Sequence, residues 1–251
     1  MTPPLPRTTA AAAAPALAAA AVVWGGALLF CVSLGFFAYA YLIRFGRPAS
    51  GTELVQPVAI NAALFSMFAL HHSVMARSAA RARLRQRVPA WLERTLYTWL
   101  SSVLFILVCA WWQPVPGLAY RLSWPWSLAG YATQLAGVIL TAWGARAIDV
   151  LELAGVRPFL AAWRNVPPRP HVPLKTGGLY ALVRHPLYLA WVLMVFGAPA
   201  MTGTRAAFAC VSTLYLIVAI PLEERGLIET FGQEYRRYQQ RVRWRMIPGL
   251  Y

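Results

Sequence analysis

The chain has 251 residues, of which 59% are hydrophobic and only 12% are charged, and its formal net charge is +15. A soluble domain of this length does not need so large an apolar fraction, so the composition excludes an ordinary soluble protein and indicates an all-α, polytopic membrane helical bundle. The arginines lie in loops between apolar stretches and do not alternate with exposed aromatic residues, which argues against a nucleic-acid partner despite the positive charge.

Apolar stretches, taken in chain order, divide the sequence into three regions. Residues 1–16 are rich in Pro and Ala and are expected to form a disordered N-terminal tail; the apolar run after them is too long for a cleaved signal peptide. Residues 17–148 are expected to hold the N-terminal transmembrane spans, and residues 149–251 a loop, a helical hairpin and a C-terminal helix. A span needs about 20 residues, and the stretches long enough to qualify are 17–43, 54–75, 96–115 and 127–148.

Two shorter apolar stretches, 187–201 and 206–221, are joined by a tight connection at 202–205. Their brevity predicts a hairpin of short or tilted helices, so five and six spans both remain open. Most loop arginines follow the second, fourth and sixth stretches, which the positive-inside rule assigns to the cytoplasm. The sequence therefore predicts a multi-pass protein of a bacterial inner membrane, with both termini in the cytoplasm.

Two adjacent histidines, His71 and His72, stand at the end of the second apolar stretch. Histidine accepts a proton near neutral pH, so the two are candidate catalytic residues, although a histidine at a membrane boundary is more often simply solvated. The three cysteines lie inside apolar stretches and lack the spacing of a metal site or a redox motif. We therefore expect no metal.

A second group of titratable residues surrounds the predicted hairpin. His185 and Tyr188 stand at the start of its first apolar stretch, and Glu223 and Glu224 follow its second. Because an antiparallel hairpin returns its two ends to one side of the membrane, these side chains are expected to meet in one pocket. Two adjacent carboxylates at an apolar boundary are costly unless they hold something. The sequence does not rank the two glutamates, and Arg225 could neutralise one of them.

The segment after the glutamates has apolar residues at helical spacing. These positions are Leu227, Ile228, Phe231, Tyr235, Tyr238 and Val242. With arginine and glutamine on the other face, the pattern predicts an interfacial helix that begins near Gly226.

The sequence GLYALVRHPLY at 178–188, together with the paired glutamates and FGQEY at 231–235, resembles the family of integral-membrane methyltransferases. That family includes isoprenylcysteine carboxyl methyltransferase, the phospholipid methyltransferases and methanethiol S-methyltransferase. The resemblance implies S-adenosylmethionine as cofactor, held outside a Rossmann fold because no Gly-x-Gly-x-x-Gly motif is present. The residues that match cofactor-contacting positions of the family are Tyr180, His185, Pro186, Leu187, Tyr188, Glu223 and Glu224.

One departure from the family bears on the methyl acceptor. Prenylcysteine methyltransferases resemble this chain but use an arginine just before the paired glutamates to hold the acceptor carboxylate, whereas residues 215–221 contain no cation. A buried carboxylate without a partner is disfavoured. Short matches at 70–77, 88–97 and 111–114 are similar to methanethiol S-methyltransferases. We therefore expect S-methylation of methanethiol or another small thiol.

Three alternatives remain open at this point. The acceptor could be an isoprenylcysteine carboxylate or a phospholipid amine, or the chain could be a non-enzymatic, NnrU-like membrane protein. The partners expected are a small-molecule or lipid-soluble methyl acceptor and the membrane lipids.

Overall fold

The computed structural model of the protein describes residues 10–164, 166 and 173–251. Within them the chain is a bundle of α-helices with one two-stranded antiparallel sheet, which confirms the predicted all-α membrane architecture. The helices are α1 (Ala10–Tyr39), α2 (Val55–Ala76), α3 (Ser78–Arg85), α4 (Ala90–Trp111), α5 (Trp126–Ile148), α6 (Val150–Leu153), α7 (Val156–Trp163), α8 (Pro186–Phe196), α9 (Gly203–Phe231) and α10 (Gln233–Arg241). The strands are β1 (Leu118–Arg121) and β2 (Ala200–Thr202); a π turn (Ala40–Arg44) and a 3-10 turn (Gly178–Ala181) are the other described elements.

Four helices in the described part of the chain are long and apolar enough to cross a membrane. They are α1 with its π turn, α2, α4 and α9, and each overlaps one of the predicted apolar stretches. Helix α5 has 23 residues and covers the stretch at 127–148, while α8 has only 11. At 1.5 Å per residue α8 is about 16 Å long, roughly half of the hydrocarbon core, so it does not cross the bilayer by itself.

Two helix ends differ from the expectation. Helix α1 begins at Ala10, so residues 10–16 are helical rather than part of a disordered tail, and residues 1–9 of that tail lie outside the described residues. Helix α9 runs without interruption to Phe231, so the prediction of a separate helix starting near Gly226 was wrong. Helix α9 ends before Gly232, whose φ of 56° disfavours any residue with a side chain, and α10 begins at the next residue.

An aromatic core fills the space between α1, α2, α4 and α9. Phe208 of α9 is fully buried, and its ring lies 5.0 Å from that of Trp112 and 5.4 Å from that of Phe37. Phe65 and Phe45 contact the same ring from two further sides. Because lipid tails are as apolar as these side chains, close packing of the rings is what favours association of the helices.

Helix α8 is held against α5 by glycines that let the two backbones approach. A Cβ atom added to Gly137 of α5 would lie 2.6 Å from the carbonyl oxygen of Ala190 and 2.7 Å from the amide nitrogen of Met194. Small residues commonly allow such contact between membrane helices. The contact sets the position of α8, which begins one residue after His185.

At the end of the bundle opposite to His185, arginines donate hydrogen bonds to carbonyl groups that the helix ends leave unpaired. Arg205 donates to the carbonyls of Tyr41 and Leu42 in the π turn, at 3.0 and 2.7 Å. Arg44 donates to the carbonyl of Trp112, just after α4, at 2.9 Å. Strand β1 pairs with β2 at this end, so the tip of the α8–α9 hairpin is joined to the α4–α5 connection.

Candidate active site

A buried ion pair lies where the start of α8 meets the last part of α9. Arg184 Nε donates to Glu224 Oε1 at 2.6 Å, and the two side chains are 7% and 5% exposed. The Arg184 guanidinium also donates to the carbonyls of Val242 and Arg243, at 2.7 and 3.0 Å. Gln239 of α10 donates to the second carboxylate oxygen of Glu224 at 3.1 Å. A buried ion pair is tolerated when its other hydrogen-bonding groups are satisfied, and α10 and the two residues that follow it satisfy them here.

The main chain around His185 is fixed by the residues that follow α10. The amide nitrogen of His185 donates to the carbonyl of Arg245 at 2.7 Å, and that of Arg184 donates to the carbonyl of Trp244 at 2.9 Å. These bonds tie the turn before α8 to the C-terminal segment. The position of the imidazole therefore depends on residues about 60 positions later in the chain.

The His185 imidazole lies between the two glutamates. It is buried, and its ring stacks on that of Tyr188 with 5.3 Å between the centroids. Its Nε2 atom is 3.4 Å from Glu224 Oε1, and its Nδ1 atom is 3.7 Å from Glu223 Oε2. Both distances exceed those of ordinary hydrogen bonds, so the ring nitrogens keep capacity for a ligand.

The structure ranks the two glutamates, which the sequence did not. Glu224 is buried in its ion pair, whereas the side chain of Glu223 is 37% exposed and accepts a hydrogen bond from the Tyr188 hydroxyl. Arg225 is exposed, and the buried carboxylate is neutralised by Arg184 instead. Glu223 is therefore the carboxylate that can reach a ligand, while Glu224 holds the surrounding chain in place.

The predicted cofactor site has three further residues, which are Tyr180, Pro186 and Leu187. The carbonyl of Tyr180 accepts from the Tyr238 hydroxyl at 2.7 Å, and burial raises the pKa of Tyr238 to about 12 and also raises that of Tyr180. Both phenols therefore stay protonated near neutral pH. Pro186 is buried as the first residue of α8, and Leu187 packs on Gly144 of α5. The predicted residues thus lie at one end of the bundle. Four of them contact one another, and these are His185, Tyr188, Glu223 and Glu224.

The adjacent histidines at the end of α2 have different surroundings. His72 Nδ1 lies 2.8 Å from the hydroxyl of Tyr97 on α4, and its ring packs against that of Phe68. His71 stacks on Tyr97 with 6.0 Å between the centroids and lines a groove on the outside of the bundle. His72 is thus joined to Tyr97 by a hydrogen bond, while the Nε2 atom of His71 is buried and lacks a hydrogen-bond partner among the residues that the structure describes.

Tyr97 connects this histidine pair to the hairpin. Its phenol is close enough to Glu223 and Tyr215 to interact with them electrostatically. Tyr188 interacts in the same way with Tyr97 and Tyr215. Tyr215 of α9 shares a 3.2 Å hydrogen bond with Ser73 of α2. We call the resulting array, from the histidine pair past Tyr97 to Glu223, the polar surface. The sequence placed the histidines in this region but did not identify the two tyrosines, because nothing in it pairs α4 with α9.

The polar surface can bind a polar, positively charged ligand and can accept a proton. Glu223 offers a half-exposed carboxylate, and the His185 nitrogens and the Tyr188 ring adjoin it. A carboxylate and an aromatic face both favour a cation. Among the residues that the structure describes, no group of three or more His, Cys, Asp and Glu side chains is arranged to hold a metal ion.

Comparison with known proteins identifies relatives over most of the chain. The family described as phospholipid methyltransferase matches residues 126–234, which run from the start of α5 into α10. Methanethiol S-methyltransferase 1 of Bradyrhizobium diazoefficiens is 37% identical over 195 residues, 76% of this chain and 67% of its own. Methanethiol S-methyltransferase of a Pseudomonas species is 34% identical over 224 residues, 85% of this chain and 84% of its own. Protein-S-isoprenylcysteine O-methyltransferase B of Arabidopsis thaliana is 36% identical over 75 residues, 29% of this chain and 38% of its own. No solved structure matches.

Proposed function

The chain belongs to the family of integral-membrane methyltransferases that includes the methanethiol S-methyltransferases, and we propose that it transfers a methyl group from S-adenosylmethionine to methanethiol or another small thiol. The observation that carries the proposal is the polar surface between His72 and Glu223, built from α2, α4, α8 and α9. One end of this surface supports a charged cofactor, and the other supports removal of a thiol proton. The product is a thioether.

The residues present fit S-adenosylmethionine. Glu223 can accept hydrogen bonds from ribose hydroxyls or balance a sulfonium charge, and the incompletely bonded nitrogens of His185 can bond the methionine carboxylate or the ribose. The Tyr188 ring can face a cation. The other residues that we assign to the cofactor site are Tyr180, Pro186 and Leu187, and Glu224 supports the site by holding Arg184 in place. When bound, the cofactor supplies a methyl group on a positively charged sulfur.

A thiol attacks as its thiolate, so the acceptor has to lose a proton. Thiols like that of cysteine have a pKa of about 8.5, and a base beside them raises the reactive fraction at neutral pH. The Tyr97 hydroxyl lies 2.8 Å from His72 Nδ1, so a thiol that donates to the phenol oxygen can pass its proton on to the imidazole. His185 lies between two carboxylates, and we assign it to cofactor binding instead.

The α9 lining of the site favours a neutral acceptor. Tyr215 of α9 shares a 3.2 Å hydrogen bond with Ser73 of α2, so this part of the lining is polar but uncharged. An acceptor carboxylate would find no countercharge in residues 215–221. Such a group is costly to bury without a partner, which supports a thiol over a prenylcysteine carboxylate.

We also place the protein in the bacterial inner membrane with both termini in the cytoplasm. The arginine-rich helices α3 and α10 lie at the same end of the bundle as His185. Positive loops remain on the cytoplasmic side. The site then opens toward the compartment in which S-adenosylmethionine is made.

An acceptor panel tests the substrate. Purified protein in detergent receives S-adenosylmethionine with methanethiol, a prenylcysteine or phosphatidylethanolamine, and dimethyl sulfide is measured in the headspace. We expect a thioether from methanethiol and no methylation of the larger acceptors. Methylation of either larger acceptor without dimethyl sulfide would overturn the substrate assignment.

Calorimetry with S-adenosylhomocysteine tests the cofactor site separately. Glu223→Gln should weaken binding, whereas Glu229→Gln, which changes an exposed glutamate on the same helix, should not. Equal affinity in the two variants would remove Glu223 from the site. No binding by the unaltered protein would overturn the proposed cofactor site.

A further inference from the structure

Helices α2, α3 and α4 enclose a groove of about 500 Å³ on the outside of the bundle. Its walls are almost entirely apolar. Three of its α4 residues, Leu96, Trp99 and Leu100, are 40%, 37% and 48% exposed. Because α2 and α4 are long and apolar enough to cross the membrane, the exposed parts of these side chains face the acyl chains of the bilayer, while the indole nitrogen of Trp99 donates to the carbonyl of Val22 on α1 at 2.8 Å. The groove is therefore a site for a hydrocarbon chain rather than for a water-soluble molecule.

The end of the groove next to α3 is strongly basic. Residues 77–94 contain six arginines and one glutamate. That glutamate, Glu93, is 1% exposed and already pairs with Arg85. The other arginines of this segment have no second acidic side chain within it. A net positive charge thus stands at the point where the groove meets the membrane surface.

Arg81 is an arginine of this segment with an unsatisfied buried donor. Its Nε atom is buried and lacks a hydrogen-bond partner among the residues that the structure describes. Burial lowers the pKa of Arg81 and the nearby charge of Arg94 lowers it further, while the charge of Glu93, which already pairs with Arg85, raises it by a smaller amount. A buried donor without an acceptor is costly, and two neighbouring guanidinium groups repel each other. An anion placed between them would relieve both effects.

Apolar walls and an adjacent cationic pair fit one class of ligand. Arg81 and Leu84 are three residues apart on α3 and therefore share a face, so a chain that packs on Leu84 brings its head group to the arginine. We propose that the groove binds an anionic phospholipid, with an acyl chain along α4 and the phosphate at Arg81 and Arg94. A zwitterionic lipid has the same phosphate, but its ammonium group would be repelled by the surrounding arginines.

Quenching of Trp99 fluorescence tests the proposal in the full-length protein. The protein is reconstituted into vesicles that mix phosphatidylcholine with lipids carrying brominated chains, either phosphatidylglycerol or phosphatidylcholine. The signal of Trp99 is the difference between the protein and its Trp99→Phe variant. We expect brominated phosphatidylglycerol to bind about fivefold more strongly than brominated phosphatidylcholine, the factor that one basic side chain contributes near an anionic lipid.

Variants of Arg81 test whether the preference for phosphatidylglycerol arises at the groove. Arg81→Gln should bring the ratio of the two affinities close to one, and Arg81→Lys should retain most of the preference. Arg121→Gln, which changes an exposed arginine on β1, should leave the ratio unchanged. A ratio near one in the unaltered protein, or an unchanged ratio in Arg81→Gln, would overturn the proposal. The preference should persist in millimolar inorganic phosphate, because a lipid also gains affinity from its acyl chain in the groove and a free anion does not.

Discussion

Replacing Glu224 by Gln should destabilise the protein far more than the same change at Glu223. The two residues are adjacent and have the same side chain, but Glu224 is 5% exposed and paired with Arg184, which is 7% exposed, whereas Glu223 is 37% exposed. Glu224→Gln keeps the shape and removes the charge. It leaves the Arg184 guanidinium buried without a counterion, while its bonds to Val242 and Arg243 remain.

The expected loss of stability in Glu224→Gln follows from the burial of the Arg184–Glu224 ion pair. Removing one partner of a buried ion pair costs about 3–5 kcal/mol. For a chain of this size each kcal/mol lowers the unfolding midpoint by roughly 2–4 °C, so Glu224→Gln should lower it by roughly 10 °C. A half-exposed carboxylate contributes about 1 kcal/mol or less, so Glu223→Gln should shift the midpoint by only a few degrees.

Thermal unfolding in detergent, followed by circular dichroism without added cofactor, measures both variants. Arg184→Gln combined with Glu224→Gln should recover part of the loss, because the double variant no longer buries a single uncompensated charge. Equal midpoints for the two single glutamine variants would refute the reasoning, since it rests on their difference in burial. A double variant less stable than either single one would contradict the assigned pairing.

Further outcomes follow from other parts of the structure. His72→Gln should reduce kcat for methyl transfer about a hundredfold, which is at the lower end of the effect of losing a general base. His71→Gln should have a much smaller effect. Equal kinetics of the two variants would contradict the assignment of His72 as the base. Gly137→Ala should destabilise the α5–α8 contact by about 1–3 kcal/mol, because its Cβ would lie 2.6 Å from a carbonyl oxygen. Gly35→Ala should not destabilise, because its Cβ would meet no described residue within 4 Å outside its own helix. Detergent melting curves distinguish the two variants. A reporter fused after Tyr251 should be retained in the cytoplasm, and its export would reverse the proposed topology.

Much of the candidate site could be located from the sequence, because its residues stand at the ends of two successive apolar stretches. A hairpin of such stretches has to return His185 and Glu223 to the same membrane surface, whatever else the chain does. The position of Tyr188 followed from the same argument. Their agreement with the motif of the methyltransferase family then indicated the chemistry.

The partners of these residues could not be predicted in the same way. Arg184 stands at a membrane boundary, where an arginine usually points to water or headgroups. Its burial against Glu224 depends on carbonyl acceptors from Val242 and Arg243, more than fifty residues later. Tyr97 was missed for a similar reason, because its proximity to the hairpin arises only when α4 packs beside α2.

The sequence by itself determined the membrane class, the positions of the main helices and the presence of titratable groups at one end of the bundle, because these depend on local hydrophobicity and on where apolar runs stop. The tertiary structure decided which of two adjacent glutamates is buried, which of two adjacent histidines bonds inward, and where α9 ends. Neighbouring residues on a helix point about 100° apart. Chemically identical neighbours therefore acquire different partners, and only the packing of the surrounding helices determines which partner each one has.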